Sequence, residues 1–256
     1  MAIDKELTEK EYLASYDPRT FPPQAVTVDA VLFTIRDEVL CTLLVERGGH
    51  PFKGYWALPG GFVNENEDLD DAARRELNEE TGVREFTGHF EQLRTYGTPG
   101  RDPRTRIFSI AYLGMLPDPG DPVAGDDAHN ARWWPITEVN GKIELSCGQL
   151  AFDHARILTD GLERARAKLE YSTLALAFVG KSFTMSDLRR VYEAVWGRKL
   201  HEANFRRKVL STSDFVVPTG RTILGGRGQP VELYRHGTGR ILHPPMLRPG
   251  NFYEIA

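Results

Sequence analysis

Two runs of apolar and β-branched residues, Val26 to Ile35 and Val39 to Val45, flank the polar triplet Arg36-Asp37-Glu38 and predict a strand pair joined by a tight turn. Ahead of them, Thr8 to Tyr16 predicts a short helix. Thr8 and Glu11 have capping-box spacing, Tyr12, Leu13 and Tyr16 form an apolar stripe, and Asp17-Pro18 ends it. Trp56 to Phe62 follows, with Gly60 and Gly61 where a backbone must turn sharply or approach a ligand. Asp68 to Thr81 predicts a helix, with Gly82 suited to its C′ position. Phe86 to Thr95 and Arg106 to Leu116 read as strands around a polar loop, Gly97 to Thr105. Pro117 to His129 is a Pro/Gly/Asp loop, Ala131 to Pro135 a further short strand, and Cys147 to Leu169 one long helix.

The pattern changes at Tyr171-Ser172-Thr173. Leu174 to Val179 reads as a short apolar helix closed by Gly180. Thr184 caps a second helix in which Leu188, Val191, Tyr192 and Val195 recur at helical spacing, and Gly197 ends it. His201 to Leu210 is a third helix with Phe205 and Val209 facing inward. Phe215 to Val217 and Val231 to Tyr234 are short strands around Gly225-Gly226-Arg227-Gly228. Three helices and a Gly-rich hairpin make a winged helix-turn-helix.

Composition bounds these elements. The 256 residues are 41% hydrophobic, enough for a buried core, and no apolar run approaches the eighteen or so residues of a membrane span. The acidic and basic start, Asp4 to Glu11, is unlike a secretory leader. Two cysteines, Cys41 and Cys147, make neither a disulfide framework nor a zinc set, so the expected compartment is the cytoplasm. The net charge of −4 hides an asymmetry: from Tyr171 onward 13 basic residues stand against 6 acidic, leaving 19 against 30 before it. An acidic half followed by a basic half suggests two tasks, the second of them contact with nucleic acid.

The candidate chemistry starts on the helix after Gly61. Glu76, Glu79 and Glu80 stand at i, i+3 and i+4, so three like charges share one face. A divalent cation relieves that repulsion, and Mg²⁺ or Mn²⁺ is the expected cofactor, held by a few carboxylates together with substrate phosphates. Gly61, Glu67, Arg75, Glu76, Leu77, Glu79, Glu80, Gly82 and Val83 fill every position of the Nudix box. By composition alone a chance match at a given start is on the order of one in a billion. From Val26 to Leu169 the chain resembles the Nudix hydrolase superfamily. The resemblance implies an α/β/α sandwich with a mixed sheet. It also implies metal at Glu76, Glu79 and Glu80, with Arg75 and Glu67 holding the loop-helix geometry, and attack of water on a nucleoside-linked diphosphate. No position singles itself out as the general base.

Arg101, Arg104 and Arg106 fall within six residues of a loop and suit an anionic phosphate, and Arg101-Asp102-Pro103-Arg104 resembles the Nudix branch that handles ADP-ribose. Arg47, before Gly48-Gly49-His50, is placed for a phosphate or ribose contact. Trp133 and Trp134 read as core, and His154 as a structural histidine.

In the second half, Asn204, Arg206, Arg207 and Lys208 face outward on the third helix, where such residues read base edges or bind phosphates, and Arg227 lies at the hairpin tip. The run Phe183 to Leu188, Tyr192-Glu193, Gly197, Asn204 to Lys208 and Leu233-Tyr234-Arg235 closely resembles the Nudix-related transcriptional regulators of NAD metabolism, the NrtR family. That resemblance covers nearly the whole chain. It implies a homodimeric repressor of NAD biosynthesis or salvage genes, released from a palindromic operator by ADP-ribose or a related NAD metabolite. The expected organisation is an N-terminal arm over 1–24, a Nudix domain over 25–170 and a winged helix over 171–256. The rival reading is a Mg²⁺-dependent ADP-ribose pyrophosphatase whose C-terminal domain only supports dimerisation. The complete box leaves hydrolysis open.

Overall fold

A computed structural model describes residues 7–83, 88–125, 128–226 and 228–248. The predicted start of a strand at Phe86 and the hairpin-tip residue Arg227 lie outside these described residues. In chain order the elements are α1 (Glu9–Ser15), β1 (Ala25–Arg36), β2 (Val39–Arg47), β3 (Trp56–Ala57), β4 (Gly60–Phe62), α2 (Leu69–Thr81), β5 (His89–Tyr96) and β6 (Ile107–Met115). Then come β7 (Ala128–Pro135), β8 (Thr137–Val139), β9 (Lys142–Glu144), α3 (His154–Tyr171), β10 (Phe183–Thr184), α4 (Met185–Trp196), α5 (Glu202–Ser211), β11 (Val216–Leu224) and β12 (Pro230–His236).

The β1–β2 hairpin forms as its pattern predicts. Asp37 and Glu38 carry the turn at φ 49° and 65°, the left-handed conformation that two-residue hairpins demand. Among the described residues seven strands form one sheet in the order β3-β2-β1-β6-β5, with β4 against β1 and β7 against β2. The β1–β6 pair is parallel and its neighbours antiparallel, so the sheet is mixed. Helix α2 packs over the β1 and β4 side through Ala72, Ala73 and Leu77. Helix α3 packs on the sheet through Ile157, Leu158 and Leu162. A Cβ on Gly161 would overlap the Val31 side chain, which is why the α3 backbone lies so close to β1 there.

Two helical expectations change in form. The long helix begins at His154 rather than Cys147, because Leu150 bridges to Trp56, the Ala151 N–H donates to the Trp56 carbonyl, and Gly148 and Phe152 adopt φ 83° and 52°. Those backbone angles do not belong to a right-handed helix. Likewise the apolar turn after Ser172 is a 3-10 helix over Thr173–Phe178, so the α-helical pair of the second half is α4 and α5. Thr184 caps α4 in a capping box with Asp187, and Gly197 ends it at φ 66°. The β11 and β12 strands run longer than their apolar cores suggested, and β10 joins them as a third strand. A β8–β9 hairpin, turning at Asn140-Gly141, was not anticipated.

One hydrophobic core crosses the junction of the halves. It runs from Val31 and Phe33 of β1 through Ile157, Leu162 and Leu169 of α3 to Leu188, Tyr192 and Trp196 of α4 and Phe205 of α5. Polar contacts reinforce it. Arg166 of α3 donates to the Val195 carbonyl at 2.9 Å, the Trp196 indole donates to the Arg166 carbonyl, and Arg190 of α4 pairs with Glu38 of the β1–β2 turn at 3.1 Å. The two halves are therefore packed, not merely strung together. Among the described residues no helix is long and apolar enough to cross a membrane.

Candidate ligand site and nucleic-acid interface

Helix α2 starts at Asp68, whose carboxylate accepts from the Asp70 N–H, and ends at Gly82, whose φ of 70° lets its N–H reach the Asn78 carbonyl. This fixes the turn on which Arg75 sits. The Arg75 guanidinium holds Glu67 with both arms, at 2.6 and 2.8 Å, and donates to the Phe62 carbonyl at 3.1 Å. It thereby staples the loop after β4 to the helix. The pairing holds the Glu67 carboxyl down at about 2.

The three box glutamates divide as they stand. Glu76 and Glu79 accept from Arg75 at 2.8 and 3.0 Å, whereas Glu80 turns the other way and accepts from the Gly60 N–H at 2.8 Å. Among the described residues no three His, Cys, Asp or Glu side chains gather in metal-binding array. The donor set nevertheless suits a hard cation. Glu80 is largely buried, and burial pushes its carboxyl up to about 8. Burial also raises Glu76, against the pull of Arg75. Gly61 is needed here, since a Cβ would overlap the Glu76 carboxylate, and one on Gly60 would overlap the Val28 carbonyl.

Beside Glu80 opens a cavity of about 290 Å³, bordered by Gly60 and Gly61. Arg47, Arg101 and Arg104 line it, with Asp29, Asp102 and His154. Arg104 binds Asp102 at 2.7 Å, Arg47 donates to the Pro51 carbonyl, and Arg101 pairs with Asp153 at 2.6 Å. Arg106 turns elsewhere: its guanidinium lies over the Phe108 ring, 4.4 Å from the centroid. His154 is structural, as expected, and also lines the cavity. Its Nδ1 accepts from the Leu58 N–H at 2.9 Å, so the proton sits on Nε2, 3.6 Å from Asp29. Burial lowers its pKa and keeps it neutral. Trp133 is buried, its indole donating to the Gly120 carbonyl, and Trp134 packs edge-on against Trp56.

Asp29, Phe62 and Phe152 are among the cavity residues that were not anticipated. Asp29 is an acid inside an apolar strand, which was a usable signal. Phe62 and Phe152 flank Arg104 at 5.3 and 5.9 Å, and nothing local marks either of them. Positive charge for phosphate, aromatic faces and an acidic corner thus meet in one concave site.

On the second half, α5 is capped by His201 and anchored by Phe205 and Val209. Asn204, Arg206 and Arg207 are exposed and Lys208 is half-buried. Arg207 donates to the Asn204 side chain at 3.3 Å, while Arg206 leans toward Glu232 of β12. Arg221 and Arg235 on the β11–β12 wing are also exposed.

Fold and site together define a Nudix domain fused to a winged-helix DNA-binding unit. Comparison with known proteins gives the same division: the NUDIX domain model matches residues 23–159, and the NrtR DNA-binding winged helix domain matches residues 175–236. The chain belongs to the NrtR family. It is 30% identical to the ADPR-responsive transcriptional repressor NtrR of Acinetobacter baylyi, over 89% of this chain and 88% of that one. It also resembles Shewanella oneidensis NrtR solved with a 27mer DNA, with TM-score 0.68 and 33% identity over 84% of this chain and 96% of that one. The Nudix domain of the same Shewanella protein, solved with ADP-ribose, matches at TM-score 0.54 and 38% identity over 62% of this chain and 99% of that one.

Proposed function

We propose that this chain is an ADP-ribose-responsive transcriptional repressor of NAD biosynthesis or salvage genes. The observation that carries the reading is the pairing, in one packed molecule, of an arginine-lined cavity beside the Nudix box with a basic helix and wing. Arg47, Arg101 and Arg104 supply charge for a diphosphate, and the Gly60-Gly61 backbone allows close approach. Glu76, Glu79 and Glu80 hold Mg²⁺ or Mn²⁺, with Arg75 and Glu67 fixing the loop around them. A cation held there would offset the burial of Glu80 and supply positive charge for the phosphates.

Asn204, Arg206, Arg207 and Lys208 engage operator DNA, with the wing and its tip residue Arg227 beside them. A palindromic operator calls for two such units, so the working form is a homodimer acting on chromosomal DNA in the cytoplasm. We assign 25–170 to the Nudix domain and 171–256 to the winged helix, with 1–24 as an arm. A second reading, ADP-ribose hydrolysis, is favoured by one observation: every position of the Nudix box is filled.

A gel-shift titration with duplex DNA from the chain's own upstream region, against a panel of nucleotides, tests the proposal. The expected result is a retarded complex that ADP-ribose dissolves. ADP-ribose turnover with no binding to any duplex would overturn it in favour of the enzyme.

A further inference from the structure

Arg101 faces two ways. One side lines the cavity, and the guanidinium also grips the Asp153 carboxylate with both arms, at 2.6 and 3.1 Å, with its side chain only 5% exposed. Asp153 occupies the N-cap position of α3, yet its side chain caps nothing. Aspartate is among the strongest N-caps, because its oxygen accepts from an N–H of the first turn. Here the carboxylate is committed to Arg101, so the side-chain cap is unmade, while the Asp153 backbone carbonyl accepts from the Arg156 N–H at 3.0 Å.

Helix α3 leads straight to the other half. Thirteen residues after Asp153, about 20 Å along the axis at 1.5 Å per residue, Arg166 holds the end of α4 through the Val195 carbonyl and pairs with Glu163 and with Glu138 of β8. Between them Gly161 lies against Val31. A rod packed this closely passes on a displacement of its first turn.

We propose that Asp153 is the positioning residue that couples the ligand cavity to the DNA-binding half, by alternating between Arg101 and the first turn of α3. The inference rests on the regulator reading above. A diphosphate in the cavity competes for Arg101 with the Asp153 carboxylate at 2.6 Å and the Asp29 carboxylate at 3.7 Å. Once released, the Asp153 carboxylate accepts from a first-turn N–H, and α3 resets against α4. The Arg101–Asp153 pair thus belongs to the DNA-binding state, and the capped helix to the ligand-bound state.

The test uses Asp153→Ser in the full chain. Serine caps well but cannot pair with Arg101. Operator affinity is measured with and without ADP-ribose. Wild type is expected to weaken by a factor of about 5–150, the usual range of such coupling. The variant is expected to bind operator more weakly from the start and to lose that factor. A variant that keeps the wild-type factor to within twofold overturns the role of Asp153 alone. No ADP-ribose effect in wild type overturns the regulator reading itself. Hydrogen exchange in the wild-type chain supplies a second measure that needs no variant. ADP-ribose is expected to slow exchange at the Ala155 amide, and unchanged exchange there in a chain that binds the ligand overturns the proposal.

Discussion

Arg206 of α5 and Glu232 of β12 stand 3.5 Å apart, so α5 is tied to the wing by an ion pair on the face we propose for DNA. Glu232 also accepts from the Tyr234 hydroxyl, and the Arg206 guanidinium lies 5.8 Å over the Tyr234 ring. An acid placed there repels phosphate and holds back a cation that would otherwise meet it.

Replacing that acid is expected to strengthen DNA binding. Glu232→Gln keeps the acceptor for Tyr234 and removes the charge that restrains Arg206. Affinity for any duplex rises, and the dependence of log K on log salt steepens by about one phosphate contact, roughly 0.9 in slope. Fluorescence anisotropy across a salt series reads both numbers. An unchanged slope would place Arg206 on base edges or away from DNA.

Metal binding is expected to depend on the last two box glutamates. The double change Glu79→Gln and Glu80→Gln preserves size and removes both charges. The fold tolerates it, because the buried Glu80 carboxylate is already disfavoured by its surroundings and Glu79 gives up only a half-exposed pair with Arg75. Mn²⁺ affinity, followed by the relaxation of water protons, should drop sharply, and any ADP-ribose hydrolysis should vanish. Wild-type Mn²⁺ affinity in the double variant would sink the assignment.

The turn between α4 and α5 should carry a distinct acid sensitivity. The buried Glu193 carboxylate accepts from the Leu200 N–H and from Arg189, both at 2.8 Å, and from Lys199 at 3.3 Å. Burial alone would raise its pKa. The Leu200 N–H, Lys199 and the charge of Arg189 more than offset that, so the folded value lies below the ordinary 4.5. A depressed carboxylate contributes stability in full above 4.5 and loses it as pH falls through the folded value. Glu193→Gln is therefore expected to cost stability near neutral pH, and the gap from wild type should close in acid. Urea melts at both ends of the range check this. A gap that stays constant with pH would mean the carboxylate's charge plays no part.

How far these features were legible depends on whether their cause was local. The β1–β2 turn, the capping boxes at Thr8 and Thr184 and the glycine stops at Gly82 and Gly197 all follow from neighbouring residues, and each is found where its signal lies. The start of α3 was not legible. Its limit is set by Trp56, roughly a hundred residues earlier, which draws Leu150 and Ala151 into an extended contact. The β8–β9 hairpin did have a local signal, the Asn140-Gly141 dipeptide, with both residues at positive φ. At the site, arginine clustering marked Arg101 and Arg104 but could not separate them from Arg106, because side-chain direction depends on the partner that each finds, Asp153 for Arg101, Asp102 for Arg104 and the Phe108 ring for Arg106. The partner choice of Glu80, Gly60 rather than Arg75, depends equally on tertiary structure.

If the cavity and the DNA-binding face are coupled through α3, the coupling is reciprocal. A ligand that weakens operator binding must itself be weakened by operator to the same degree. ADP-ribose affinity is measured by calorimetry with and without saturating operator, in the Glu79→Gln and Glu80→Gln background without added metal, so that the ligand survives. Operator is expected to lower ADP-ribose affinity by the factor with which ADP-ribose lowers operator affinity in the same variant, about 5–150. Equal ADP-ribose affinity in the presence and absence of operator would contradict it, leaving two packed domains with no exchange of free energy between their sites.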